Sequence, residues 1–169
     1  MEKTLEIINR MEADGRIGRY AIGGAMAAIF YVEPFATFDL DIFFAANESG
    51  ELVMMTPVYE YLAGAGYEAE GEAVNIEGWP VQFLPTYNPL VAEAVEQAVE
   101  IKFKSTPTRV LSAEHLVAIM LQTGREKDYA RVAKFMEEGV VNVERLTDIL
   151  SRHQLIDKWR KFAGGSGHE

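Results

Sequence analysis

Seven residues, Phe38-Asp39-Leu40-Asp41-Ile42-Phe43-Phe44, constrain this chain more than any other stretch. Aromatic and β-branched side chains dominate them, which predicts a strand. Alternation puts Leu40, Ile42 and Phe44 on one face, and Asp39, Asp41 and Phe43 on the other. The segment is too apolar for a sheet edge, so its two carboxylates lie near the core and need partners. Two residues apart on a strand, their Cα atoms are about 6–7 Å apart. Carboxylates that close repel, which raises a pKa unless a cation lies between them. A divalent metal relieves the repulsion, and Mg²⁺ is usually held by one or two carboxylates plus substrate phosphates. The competing reading is a structural pair that holds no ligand.

The residues before this strand bear on the choice. Arg19 to Ile22 reads as a short strand and Ala25 to Tyr31 as a small, apolar, buried helix that Pro34 ends. Gly23-Gly24 lies between them. Paired glycines let the backbone approach a ligand closely, and a helix start offers free N–H groups to a phosphate.

Downstream, Leu52 to Ala63 suits a helix. Ala73 to Ile76 and Trp79 to Leu84 suit strands joined by a Glu77-Gly78 hairpin turn. Pro89 to Ala98 suits a helix with proline near its start. Ile101 to Lys104 and Thr108 to Leu111 read as extended pieces separated by Pro107. From Ser112, a predicted N-cap, the pattern is helical only: Ala113 onward, then Glu126 to Glu137, Val143 to Arg152 and Gln154 to Phe162. The order predicts an α+β sheet domain over 1–111, a helical C-terminal part over 112–163 and a flexible tail over 164–169.

Composition narrows the function classes. There is no cysteine, so disulfides and thiolate metal sites are excluded. No apolar run reaches the roughly 18 residues of a membrane span, and no signal-peptide core precedes the first helix, so a cytoplasmic protein is expected. The formal net charge is −10. Residues 1–100 carry 17 acidic and 4 basic side chains; residues 101–169 carry 9 acidic and 12 basic. General nucleic-acid binding is therefore not expected. A basic second half facing an acidic first half can hold a phosphate between them.

Gly23-Gly24, a small apolar helix and then Thr37-x-Asp39-x-Asp41 resemble the DNA-polymerase-β-like nucleotidyltransferase superfamily. The likeness is to its small bacterial members, including abortive-infection (AbiEii-type) toxin nucleotidyltransferases. Leu111-Ser112-Ala113-Glu114-His115-Leu116 and Gly124-Arg125-Glu126-Lys127-Asp128 are similar to the helical segment that follows the sheet in those members. The resemblance implies a mixed sheet flanked by helices, and transfer of a nucleoside monophosphate from an NTP to a hydroxyl acceptor with Mg²⁺ or Mn²⁺. Asp39 and Asp41 would be the metal-binding and catalytic carboxylates. Gly23, Gly24, Thr37, Arg125 and Lys127 would contact nucleotide phosphates. The acceptor stays open among protein, RNA and small molecule, and a toxin-like protein partner is possible in such a family.

The chain departs from the superfamily pattern. A third carboxylate is expected within Val81-Gln82-Phe83-Leu84-Pro85, where Gln82 stands instead. An amide is neither a base nor a charged metal ligand. Glu77, in the hairpin turn, is a poorly placed substitute. Relatives often carry lysine where Met120 stands and aspartate where Arg131 stands. The alternative to an active enzyme is thus a catalytically degenerate nucleotide-binding or protein-interaction module on the same fold. His115 reads as structural. Tyr59, Tyr61, Trp79 and Tyr87 suit either core packing or a base-stacking slot. Pro34 to Thr37 reads as a turn beside the site.

Overall fold

A computed structural model describes residues 1–33, 39–46 and 51–165. In chain order the elements are α1 (Glu2–Ala13), β1 (Tyr20–Gly23), α2 (Gly24–Ala28), β2 (Leu40–Phe44), α3 (Glu51–Gly64), β3 (Ala69–Glu70), β4 (Ala73–Ile76) and β5 (Trp79–Pro85). Then follow α4 (Pro89–Glu96), β6 (Val99–Phe103), β7 (Thr106–Val110), α5 (Ala113–Thr123), α6 (Glu126–Glu137), α7 (Val143–Arg152) and α8 (Ile156–Gly165).

The strands form one seven-stranded mixed sheet in the order β3-β4-β5-β2-β1-β7-β6. β2 sits at its centre, antiparallel to β1 and parallel to β5. The apolar strand is therefore interior, as its composition predicts. Leu40 and Ile42 are fully buried on one face, and Phe43 is buried on the other. Helix α1 runs across one side of the sheet. Thr4 Oγ1 donates to the Ile76 carbonyl on β4, and Asn9 Nδ2 donates to the Pro107 carbonyl on β7.

The helical half is built on α5. Ser112 caps it, accepting from the His115 amide at 3.2 Å, and Gly124 ends it with φ at +69°. Helices α6, α7 and α8 pack against α5. Glu93 on α4 ties this half to the sheet. It accepts from Arg152 at 2.7 and 2.8 Å and pairs with His153 Nε2 at 2.6 Å and His115 Nε2 at 3.1 Å. His115 is fully buried, with Nδ1 2.7 Å from Ser112 Oγ. The histidine is a structural strut, as its place on an apolar helix face suggests.

Several expectations need correction. Pro107 does not separate two extended pieces; it lies inside β7, in a β6–β7 hairpin. A strand tolerates proline where the N–H would face away from the neighbouring strand. Pro107 stands opposite Lys102, and its carbonyl is engaged by α1 rather than by β6. The helix after Gly23-Gly24 is only five residues long. Residues 34–38, with the expected turn at Pro34 to Thr37, lie outside the described residues, so Thr37 has no described position. No described helix is long and apolar enough to cross a membrane.

Candidate active site

Where β1 turns into α2, the two glycines meet different demands. A Cβ on Gly23 would run into the Phe43 ring. Gly24 has φ of +60°, and a Cβ there would run into the Asp41 carboxylate. The pair therefore makes room for side chains of the adjacent strand. Gly23 pairs with Asp41 across the sheet, which brings the turn and the acid together.

Asp41 projects into a cavity of about 280 Å³. Gly24, Asp41 and Gln82 line its sheet side; Met120 and Thr123 of α5, with Arg125, Asp128 and Arg131 on the α6 side, line the opposite wall. Burial pushes the Asp41 carboxyl up to about 6, and the negative charge of Asp39 adds to the rise. Arg125, Arg131 and Lys127 oppose it from the helical side. Asp39, expected near the core within the strand, is instead exposed just before β2 and does not line the cavity.

The cationic wall is held in place by a buried acid. Asp128, only 2% exposed, accepts from Arg125 Nε at 2.7 Å and from its guanidinium NH2 at 3.2 Å. Arg131 Nη1 lies 3.9 Å from Oδ1 of the same carboxylate. Arg125 is the N-cap residue of α6, and the Asp128 carboxylate also accepts its backbone N–H at 3.2 Å. A carboxylate flanked by two arginines orients both. The Arg125 side chain remains 55% exposed and can reach a ligand.

The cavity thus carries the Asp41 carboxylate on one wall and, on the other, the guanidinium groups of Arg125 and Arg131 with the Asp128 carboxylate that they share. Its sheet order and helical cover can be set beside solved structures. An antigenic nucleotidyltransferase-like protein from Paracoccidioides brasiliensis has a TM-score of 0.59 at 12% identity, with 95% of this chain and 88% of that one covered. This chain has a nucleotidyltransferase-like fold. The antibiotic-resistance factor ANT(2'')-Ia, in solution, gives 0.53 at 12% identity with 100% of both chains covered. In complex with adenylyl-2''-tobramycin, that factor gives 0.53 at 12% identity, covering 89% of this chain and 94% of its own. No protein-family model and no curated protein matches the chain.

On this nucleotidyltransferase-like fold, Gly24, Asp41, Gln82 and Arg125 come together around one cavity. Gly23 acts from behind, through Phe43. Lys127 is exposed on α6 and acts on Asp41 through its charge. Gln82 stands beside Asp41 in the parallel β2–β5 register, and its amide donates to Glu72 Oε2 at 3.3 Å. Glu77 instead accepts from the Tyr67 hydroxyl at 2.6 Å, at the far end of the β4–β5 hairpin.

Three contributors are only partly legible in the sequence. Asp128 was legible only as part of a motif, although the i, i+3, i+6 spacing of Arg125, Asp128 and Arg131 places them near one helix face. Arg131 looks like a departure from the superfamily pattern, yet it lines the cavity. Tyr87 lies at the cavity with its ring centroid 6.5 Å from that of Phe43, but nothing in the sequence separates it from the other tyrosines.

Proposed function

We propose that the chain transfers a nucleoside monophosphate from an NTP to a hydroxyl acceptor, with a divalent cation at Asp39 and Asp41. The observation that carries this is the cavity with Asp41 on one wall and Arg125 and Arg131 on the other. Residues and cation fit. A buried carboxylate with a raised pKa beside a second carboxylate is relieved by positive charge. Among the described residues no three acids or histidines form a metal cluster. Two carboxylates would thus leave the other coordination positions to phosphate oxygens and water, which suits Mg²⁺ or Mn²⁺. When bound, the cation would supply Lewis acidity at the phosphates.

The chain's own groups then have defined tasks. Gly24 leaves space at the β1–α2 turn for the phosphates and the Asp41 carboxylate. Arg125, Arg131 and Lys127 neutralise phosphate charge, Arg125 in the bidentate manner of a guanidinium. The acceptor oxygen forms a bond to the α-phosphorus as the bond to the bridging oxygen breaks, and pyrophosphate leaves. The Gln82 amide cannot take the hydroxyl proton, which passes to water. Loss of a positioned base costs about 10²–10⁴-fold in rate. The likeness to abortive-infection members rests on the sequence motifs alone, and a toxin-like partner belongs to that part of the proposal.

The test is Mg²⁺-dependent pyrophosphate release and acceptor labelling from each NTP. Asp39→Asn and Asp41→Asn should each abolish both. Labelling that survives either change would sink the assignment. Gln82, seated beside Asp41, favours a second reading, a nucleotide-binding module without turnover. That reading expects Mg–NTP binding by calorimetry with no pyrophosphate release, and turnover gained in Gln82→Asp.

A further inference from the structure

The two ends of the sheet are unlike. β3 ends it with two residues, too short to pair with another chain, whereas β6 ends it with five. Among the described residues no strand pairs with the outer side of β6. Glu100 and Lys102 line an open cavity of about 560 Å³ on this flank, and Val99 is 42% exposed.

The β6–β7 register decides which backbone groups face outward. Pro107 stands opposite Lys102, has no N–H, and gives its carbonyl to Asn9. Lys102 and Pro107 are therefore a non-hydrogen-bonded pair, and by alternation so are Glu100 and Arg109. The N–H and C=O groups of Glu100 and Lys102 consequently point away from β7, into the open edge.

We propose that β6 pairs antiparallel with β6 of a second copy of this chain, about a two-fold axis beside Ile101. Val-Glu-Ile-Lys-Phe is self-complementary in that register. Glu100 meets the partner's Lys102, and the two exchange backbone hydrogen bonds through their outward groups. Val99 meets the partner's Phe103, and Ile101 meets its own copy. Opposite charges directly across a strand pair stabilise it, and like charges destabilise it. A shift by one residue in either direction breaks the Glu–Lys match. The two sheets become one continuous sheet. This inference is independent of the nucleotide chemistry.

Sedimentation velocity of the full chain over a concentration series tests it. Wild type should self-associate to a dimer. Lys102→Glu and Glu100→Lys should each weaken the dimer about tenfold, by placing like charges opposite each other twice. The double exchange Glu100→Lys with Lys102→Glu should restore it. Lys102→Pro removes an outward N–H without touching the β6–β7 hydrogen bonds and should leave a monomer. The charge exchanges keep the test decisive if the proline variant does not fold. A wild type that stays monomeric to about 100 μM overturns the proposal; the charges then only guard the edge. So does a dimer indifferent to Lys102→Pro, or a double exchange no better than the single ones.

Discussion

The Asp41 carboxylate is expected to cost the metal-free protein stability at neutral pH. Its pKa rises from an ordinary 3.8 to about 6, chiefly through burial. The sign follows from linkage. Below 3.8 the group is neutral both folded and unfolded, and no cost arises. Between 3.8 and about 6 the unfolded chain ionises first, so stability falls as pH rises. Above 6 the cost is complete. Two pKa units at about 1.4 kcal/mol each amount to about 3 kcal/mol.

Asp41→Asn removes that cost. With a chelator present at pH 8, the variant should be more stable than wild type by about 2–3 kcal/mol, or roughly 4–12 °C in Tm for a chain of this size. At pH 3.5 the two should melt together. Mg²⁺ should raise the wild-type Tm at pH 8 and leave the variant unmoved. Differential scanning fluorimetry with and without Mg²⁺ at both pH values reads all four conditions. A variant equally destabilised at pH 3.5 and pH 8 would refute the reasoning. It would make Asp41 a structural hydrogen-bonding group rather than a charge awaiting a cation.

Gly24→Ala combines a left-handed backbone with a Cβ driven into Asp41, so it should cost about 2 kcal/mol in urea unfolding and at least tenfold in Mg–NTP affinity. Arg131→Met should weaken Mg–NTP binding by calorimetry about tenfold while Asp128 keeps its bonds to Arg125, consistent with a phosphate contact. Glu93→Gln should destabilise the fold by about 2 kcal/mol, because Arg152, His153 and buried His115 lose a charged acceptor. Arg152, foremost, holds the Glu93 carboxyl well below the usual carboxylate range. The stability from Glu93 is therefore present above that range and lost at strongly acid pH, where wild type and variant should converge in a denaturant series.

Parts of this structure were legible because the determining physics is local. The boundaries of α6 and α7 follow from helical spacing, and Ser112 caps α5 by a hydrogen bond to a residue three positions on. Central placement of β2 follows from apolar residues on both faces. Pro107 breaks the local rule because that rule has an exception, a non-hydrogen-bonded position, that only the partner strand reveals. The cavity is the extreme case. It needs β2 beside β5, and the first turns of α6 across the cavity from them, neither of which periodicity encodes. Hence Arg131 passed for a missing acid when it is a cation facing the acid that is present.

The same distinction bears on what Gln82 means. Register places it beside Asp41, where a carboxylate would add negative charge to a site already strained by two. The amide instead engages a carboxylate from Glu72, near the start of β4 and outside the cavity wall. The carboxylate that Gln82 engages thus lies outside the cavity lining, while the charges of Arg125, Arg131 and Lys127 bear on Asp41 from the helical side. Electrostatically this favours holding a polyanion over deprotonating a hydroxyl. Binding of Mg–NTP should therefore prove more robust to substitution than turnover, and Gln82→Asp should raise turnover while weakening nucleotide affinity. A Gln82→Asp variant that gains both would show that the charge balance of the cavity does not limit binding.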